Sequence, residues 1–118
     1  MRWFVDSSLT PAVADALIRH EHKAVPLPER SWKEIRGAQL DVITADGDWV
    51  AEALRGETGF NRSIIYLLVG PGEVEQDDAV DRLFTRFKRL VPGRLYTVTN
   101  SRVKVRQLRA KSHAASTK

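Results

Sequence analysis

Short apolar runs alternate along the chain with apolar residues at helical spacing. Trp3-Phe4-Val5 is β-favouring and stops at Asp6-Ser7-Ser8, which predicts a short buried strand. Thr10-Pro11 then offers an N-cap followed by proline at the first helical position, and Val13, Ala16, Leu17 and His20 share a face of a helix over 11–20. Ala24 to Leu27 reads as a second strand, placed at a strand end or sheet edge by Pro26, which has no N–H for a ladder. Ser31 caps a short helix through Trp32, Ile35 and Ala38. Leu40 to Ala45 returns to β character before Asp46-Gly47-Asp48, and Trp49, Val50, Ala53 and Leu54 recur at helical spacing up to Gly56. Ser63 to Val69, apolar at nearly every position, predicts a strand buried on both faces. After Gly70-Pro71-Gly72 a helix is expected over 77–91, with Val80, Leu83, Phe84, Phe87 and Leu90 on its inner face. Leu95–Thr99 and Val103–Leu108 alternate around Asn100-Ser101 as a β-hairpin.

A βαβαβαβα order followed by a hairpin implies an α/β fold, a mostly parallel central sheet with helices on both faces. One domain over 1–109 accounts for the pattern, and 110–118, without periodicity, reads as a flexible basic tail. Trp3, Trp32 and Trp49 all sit within apolar patterns and are expected in the core. The absence of cysteine excludes a disulfide scaffold, a Cys-ligated zinc site, a thiol nucleophile and an iron–sulfur cluster. The N-terminal apolar run ends at a charge after three residues, and the longest run is Ile64 to Val69, so neither a signal peptide nor a membrane span is expected and the cytoplasm is the default.

Net charge changes this picture only when resolved along the chain. The total is +4, yet all 15 acidic residues lie at or before Asp81. Up to that point the balance is −7; from Arg82 onward it is +11, with no acid. Such polarity suggests a polyanionic partner for the basic part. Arg82, Arg86 and Arg89 recur at i, i+4, i+7 on the last long helix, and Arg102, Lys104 and Arg106 alternate with valines on the last strand. Two cationic stripes of this kind suit phosphate contacts made without base reading, although a solvated face would carry the same residues.

In a parallel sheet ligands bind outside the carboxyl ends of the strands, and two strands end there in aspartate: Asp6 and Asp46, with Asp48 close behind. If the first and third strands are neighbours, three carboxylates meet. At ~5 Å each like-charge pair costs roughly 3 kcal/mol at an effective dielectric near 20, so protonation or a divalent cation must relieve the cluster. Oxygen-only donors suit Mg²⁺ or Mn²⁺, ions that activate water and clamp a phosphodiester. Thr44, on the same strand face as Asp46, is placed to orient a carboxylate or a metal-bound water. Each aspartate alone has a plainer reading as a turn former or N-cap, most fully for Asp48. His20-x-His22 lacks zinc-like partner spacing, Ser7 and Ser8 lack a nucleophile elbow, and Gly70-Pro71-Gly72 is a turn, not a phosphate cradle.

Phe4-Val5-Asp6 with Leu9-Thr10-Pro11, Thr44-Ala45-Asp46-Gly47-Asp48-Trp49, and the ending from Gly93 to Arg106 together resemble the small PIN-like proteins, relatives of PIN-domain nucleases that include toxin ribonucleases of toxin–antitoxin pairs. The resemblance covers roughly residues 2–108. It implies a three-layer α/β/α PIN-like fold, an endoribonuclease dependent on Mg²⁺ or Mn²⁺, and Asp6, Asp46 and Asp48 as metal ligands. Where the family carries a second acid directly after the first aspartate, this chain has Ser7. A further acid is expected before the third strand, with Glu34 as first candidate and Asp41 and Glu29 behind it. With Thr44, placed by its strand face, the catalytic set is Asp6, Thr44, Asp46 and Asp48; the metal set is Asp6, Asp46, Asp48 and Glu34. Implied partners are RNA, held by Arg82, Arg86, Arg89, Arg102, Lys104 and Arg106, and an antitoxin protein. A homodimer through the hairpin edge stays open. The alternative is a catalytically degenerate PIN-like module that binds nucleic acid or a partner protein.

Overall fold

A computed structural model describes residues 1–56 and 58–108. The expected tail at 110–118 lies outside the described residues. Ten elements run in the order β1 (Arg2–Val5), α1 (Pro11–Arg19), β2 (Lys23–Ala24), α2 (Trp32–Gly37), β3 (Asp41–Thr44), α3 (Gly47–Leu54), β4 (Ile64–Leu67), α4 (Glu73–Arg86), β5 (Arg94–Val98) and β6 (Val103–Gln107). The strands form one sheet in the order β2-β1-β3-β4-β5-β6, parallel except for β6, which pairs antiparallel with β5. No helix among the described residues is long and apolar enough to cross a membrane.

Strand pleating sorts the core into two layers. Trp3, Ile43, Ile65, Tyr96 and Val98 face one side, where Val13, Ala16 and Leu17 of α1 and Ala79, Val80, Leu83 and Phe84 of α4 cover them. Phe4, Val42, Ile64 and Leu95 face the other, covered by Trp32 and Ile35 of α2 and Trp49, Val50 and Ala53 of α3. All three tryptophans are buried, and Trp32 and Trp49 stack at 4.3 Å between ring centroids.

Several boundaries differ from the sequence pattern. β2 is only two residues long, because Pro26 offers no N–H to prolong the ladder. Helix α4 spans Glu73–Arg86 rather than 77–91. It starts earlier because Gly72 takes the extended N-cap conformation and Glu73 and Glu75 place the first-turn acids against the positive end of the helix. It stops earlier because Phe87 turns to extended φ/ψ and packs edge-on against Tyr96 at 5.5 Å, although the apolar spacing continues to the buried Leu90. Arg89 therefore lies off the helix and does not share a helical face with Arg82 and Arg86. The two cationic groups also part company. Lys104 and Arg106 lie opposite Thr97 and Leu95 and so project to the α2/α3 side, whereas α4 carries Arg82 and Arg86 on the other side of the sheet.

Candidate active site

β1 and β3 are parallel neighbours, with Phe4 opposite Val42 and Val5 opposite Ile43. Their chains leave in different directions, β1 towards α1 on one face and β3 towards α3 on the other, so the crevice beyond their carboxyl ends is the topological switch point of the sheet. The backbone N–H of Asp6 extends the ladder by donating to Ile43 O at 3.0 Å. By strand parity Asp6 and Thr44 both point to the α2/α3 side.

Two hydroxyls hold Asp6 by one oxygen. Ser8 Oγ donates to Asp6 Oδ2 at 2.6 Å and Thr44 Oγ1 donates to the same oxygen at 2.7 Å. Each hydroxyl also accepts from the loop after β3: Ser8 Oγ from Ala45 N at 3.0 Å, and Thr44 Oγ1 from Asp46 N at 3.0 Å. The turn after β1 and the turn after β3 are thus tied together through a carboxylate that is 1% exposed. Its other oxygen, Oδ1, is buried and accepts no aligned hydrogen bond, although Arg30 Nε lies 3.1 Å away as an ion-pair contact.

Asp46 is divided in the same way. Its Oδ1 accepts from Asp48 N and Trp49 N at 3.1 and 3.2 Å, which makes Asp46, rather than Asp48, the N-cap of α3. Its Oδ2 accepts from the Arg30 guanidinium at 2.8 Å. That guanidinium, followed by the Trp49 N–H, holds the Asp46 carboxyl below its usual range. Arg30 lies on the segment between β2 and α2 and stacks 4.4 Å above the Trp49 ring. It bridges the two aspartates and relieves part of their repulsion. A hollow of about 330 Å³, lined by Phe4, Val5, Asp6, Ser7, Pro26, Leu27, Pro28 and Arg30, opens beside this bridge.

Among the sequence-derived candidates, Asp6, Thr44 and Asp46 come together. Asp48 is exposed in the first turn of α3, and Glu34 is exposed on α2, where its backbone N–H donates to the Ser31 hydroxyl at 3.3 Å. Among the described residues no three His, Cys, Asp or Glu side chains form a group able to share a metal ion. Asp41 opens β3 at the opposite end, where it accepts from Ser63 N at 2.9 Å and faces Arg62. Arg30, Ser8 and Tyr66 belong to the site without having been singled out for it. Tyr66 lies opposite Thr44 on β4, and its hydroxyl sits so close over the start of α3 that a Cβ on Gly47 would lie 2.6 Å from it. The pairing of strand-end aspartates across a parallel sheet is legible in the sequence; a loop arginine that returns to them carries no local signal.

Asp6 and Asp46 are the residues that could hold a divalent cation of the Mg²⁺ or Mn²⁺ type. The two carboxylates would supply oxygen ligands, and such ions commonly keep several waters beside one or two carboxylates. Asp6 Oδ1 is a buried oxygen without an aligned donor, and Arg30 already stands as the cation between the pair. Compared with known proteins, the chain matches no family model, no curated protein and no solved structure.

Proposed function

We propose that this chain is a PIN-like endoribonuclease that hydrolyses RNA phosphodiesters with Mg²⁺ or Mn²⁺, acting in the cytoplasm as the toxin of a toxin–antitoxin pair. The observation that carries the reading is the placement of Asp6 and Asp46 at the β1/β3 switch point, each with one oxygen fixed by the protein and the other contacted by the Arg30 guanidinium. The choice of RNA comes from the resemblance of the Asp6 and Thr44–Trp49 segments to PIN-like nucleases. When bound, the ion supplies a water of lowered pKa and neutralises the phosphodiester.

The chain's own residues do the rest. Ser8 and Thr44 hold Asp6 in one orientation, so that Oδ1 is presented without a search over rotamers. Asp46 is held by the start of α3, whose N–H groups also favour negative charge nearby. Lys104 and Arg106 lie on the side of the sheet to which Asp6 and Thr44 point and would hold the RNA backbone there. Asp48, exposed in the first turn of α3, would position water.

The test is cleavage of single-stranded RNA with Mn²⁺ by the parent, Asp6→Asn and Asp46→Asn. Loss of about a hundredfold or more in each variant is expected. Equal rates in parent and Asp6→Asn would remove the assignment. A second reading, a catalytically degenerate PIN-like module that binds nucleic acid or a partner protein, draws on the Arg30 bridge: if the acids serve only to anchor the loop that carries Arg30, the parent cleaves no RNA and both asparagine variants lose stability.

A further inference from the structure

Four carboxylate oxygens meet at the β1/β3 edge, and the protein has already engaged two of them. Asp6 Oδ2 receives the Ser8 and Thr44 hydroxyls, and Asp46 Oδ1 receives the N–H groups of Asp48 and Trp49. The two that remain, Asp6 Oδ1 and Asp46 Oδ2, are the two that Arg30 contacts, at 3.1 and 2.8 Å. A divalent ion held by both aspartates has only these same oxygens to use. It would also sit within a few ångströms of a guanidinium charge of the same sign, with no third acid among the described residues to compensate.

We infer that Arg30 and a divalent cation are alternative occupants of the Asp6–Asp46 pair, so that Arg30 is an internal counter-ion which closes the site until an ion displaces it. This rests on the metal-dependent reading above. The way Arg30 is held suits exchange. Its contact with Asp6 has no aligned N–H, and its side chain is 39% exposed. It is carried by a segment with neither helix nor strand, next to the hollow beneath Pro26 and Pro28. Its stacking on Trp49 gives the displacement an optical reporter within the site.

The experiment is titration of the intact protein with Mn²⁺, followed by the electron paramagnetic resonance of free ion, and with Mg²⁺, followed by tryptophan emission. Parent, Arg30→Ala, Arg30→Lys and Asp46→Asn are compared; asparagine keeps a capping oxygen, so α3 should survive in the last. Arg30→Ala is expected to bind Mn²⁺ about tenfold more tightly than the parent, the scale set by removing a competing ion pair, with Arg30→Lys between them and Asp46→Asn without binding. Diamagnetic Mg²⁺, used in place of Mn²⁺ for this readout so that the ion does not itself quench indole, should change tryptophan emission more in the parent than in Arg30→Ala. Equal Mn²⁺ affinity in parent and Arg30→Ala overturns the exchange while leaving the metal reading in place. Absence of Mn²⁺ binding in both overturns the exchange together with that reading. If Arg30→Ala does not fold, Arg30→Lys decides: tighter binding than the parent supports the exchange, and equal binding overturns it.

Discussion

Thr44 Oγ1 donates to Asp6 Oδ2 across 2.7 Å, and both side chains are buried. The same hydroxyl accepts from Asp46 N, so one small side chain on β3 links the end of β1 to the start of α3. Valine has nearly the shape of threonine without the hydroxyl. Thr44→Val should therefore leave the packing intact but strip a buried carboxylate of a donor and Asp46 N of its acceptor. The expected cost is about 1–3 kcal/mol in urea denaturation. Ser8→Ala removes the partner hydroxyl at the same oxygen, and the two costs should not add, because either hydroxyl alone still orients Asp6.

Gly47 and Tyr66 form a second testable pair. An alanine Cβ at 47 would lie 2.6 Å from the Tyr66 hydroxyl and 3.3 Å from its ring carbon Cζ. Gly47→Ala should destabilise the protein even though alanine is the better helix former by about 1 kcal/mol. Tyr66→Phe removes the nearest atom, so the double variant should recover most of the stability. A double-mutant cycle by thermal denaturation measures the recovery; purely additive effects would show that the close approach does not set the cost.

How much of this was legible depends on how local each cause is. The strand ends at Asp6 and Asp46 and the proximity of β1 to β3 follow from alternation, turn residues and the rules of parallel sheets. Thr44 could be placed on the correct face by parity alone. Arg30 could not, because it meets Asp46 and Asp6 from an irregular segment whose path no periodicity encodes. The end of α4 misled for a related reason: the apolar spacing continues to Leu90, and only the packing of Phe87 against Tyr96, on a strand further along the chain, ends the helix. The faces of the two cationic stripes are set by sheet order and register, which lie beyond either stripe taken alone.

That separation makes the proposed RNA binding selective. Lys104 and Arg106 face the side to which the acid pair points, while Arg82 and Arg86 ride on α4 across the sheet. Lys104→Ala and Arg106→Ala should weaken binding of single-stranded RNA and lower the slope of log K against log salt by about 0.7 for each phosphate that is no longer neutralised. Arg82→Ala should leave the slope unchanged. Fluorescence anisotropy over a salt series checks this. An equal effect of Arg82→Ala would place the RNA on the α1/α4 side instead.

The opposite end of the sheet provides a pH dependence that is independent of the acid pair. Trp3, fully buried, donates its indole N–H to His22 Nδ1 at 3.0 Å. The bond requires an unprotonated Nδ1 and so places the proton of the neutral ring on Nε2. Burial, then the positive charges of the N-terminal amino group and His20, push the His22 pKa below its usual 6.5. The unfolded chain consequently takes up a proton at higher pH than the folded one. Stability from this site is fully present above pH 6.5 and is lost as the pH falls through the lower folded value. Protonation also removes the acceptor of a buried donor, in the same direction. Around His22 lie Arg19, His20, Glu21, Phe84 and Lys88, of which His20 pairs with Asp81 at 2.7 Å. Asp81, held low first by that His20 bond, and Asp46, held low first by Arg30, give up their contributions only below 3.8, outside this window. Melting temperatures measured between pH 7.5 and 5 should fall in the parent. His22→Gln keeps an oxygen that can accept from Trp3 but does not titrate, and it should flatten that fall. An unchanged slope in His22→Gln would show that the pH dependence arises elsewhere.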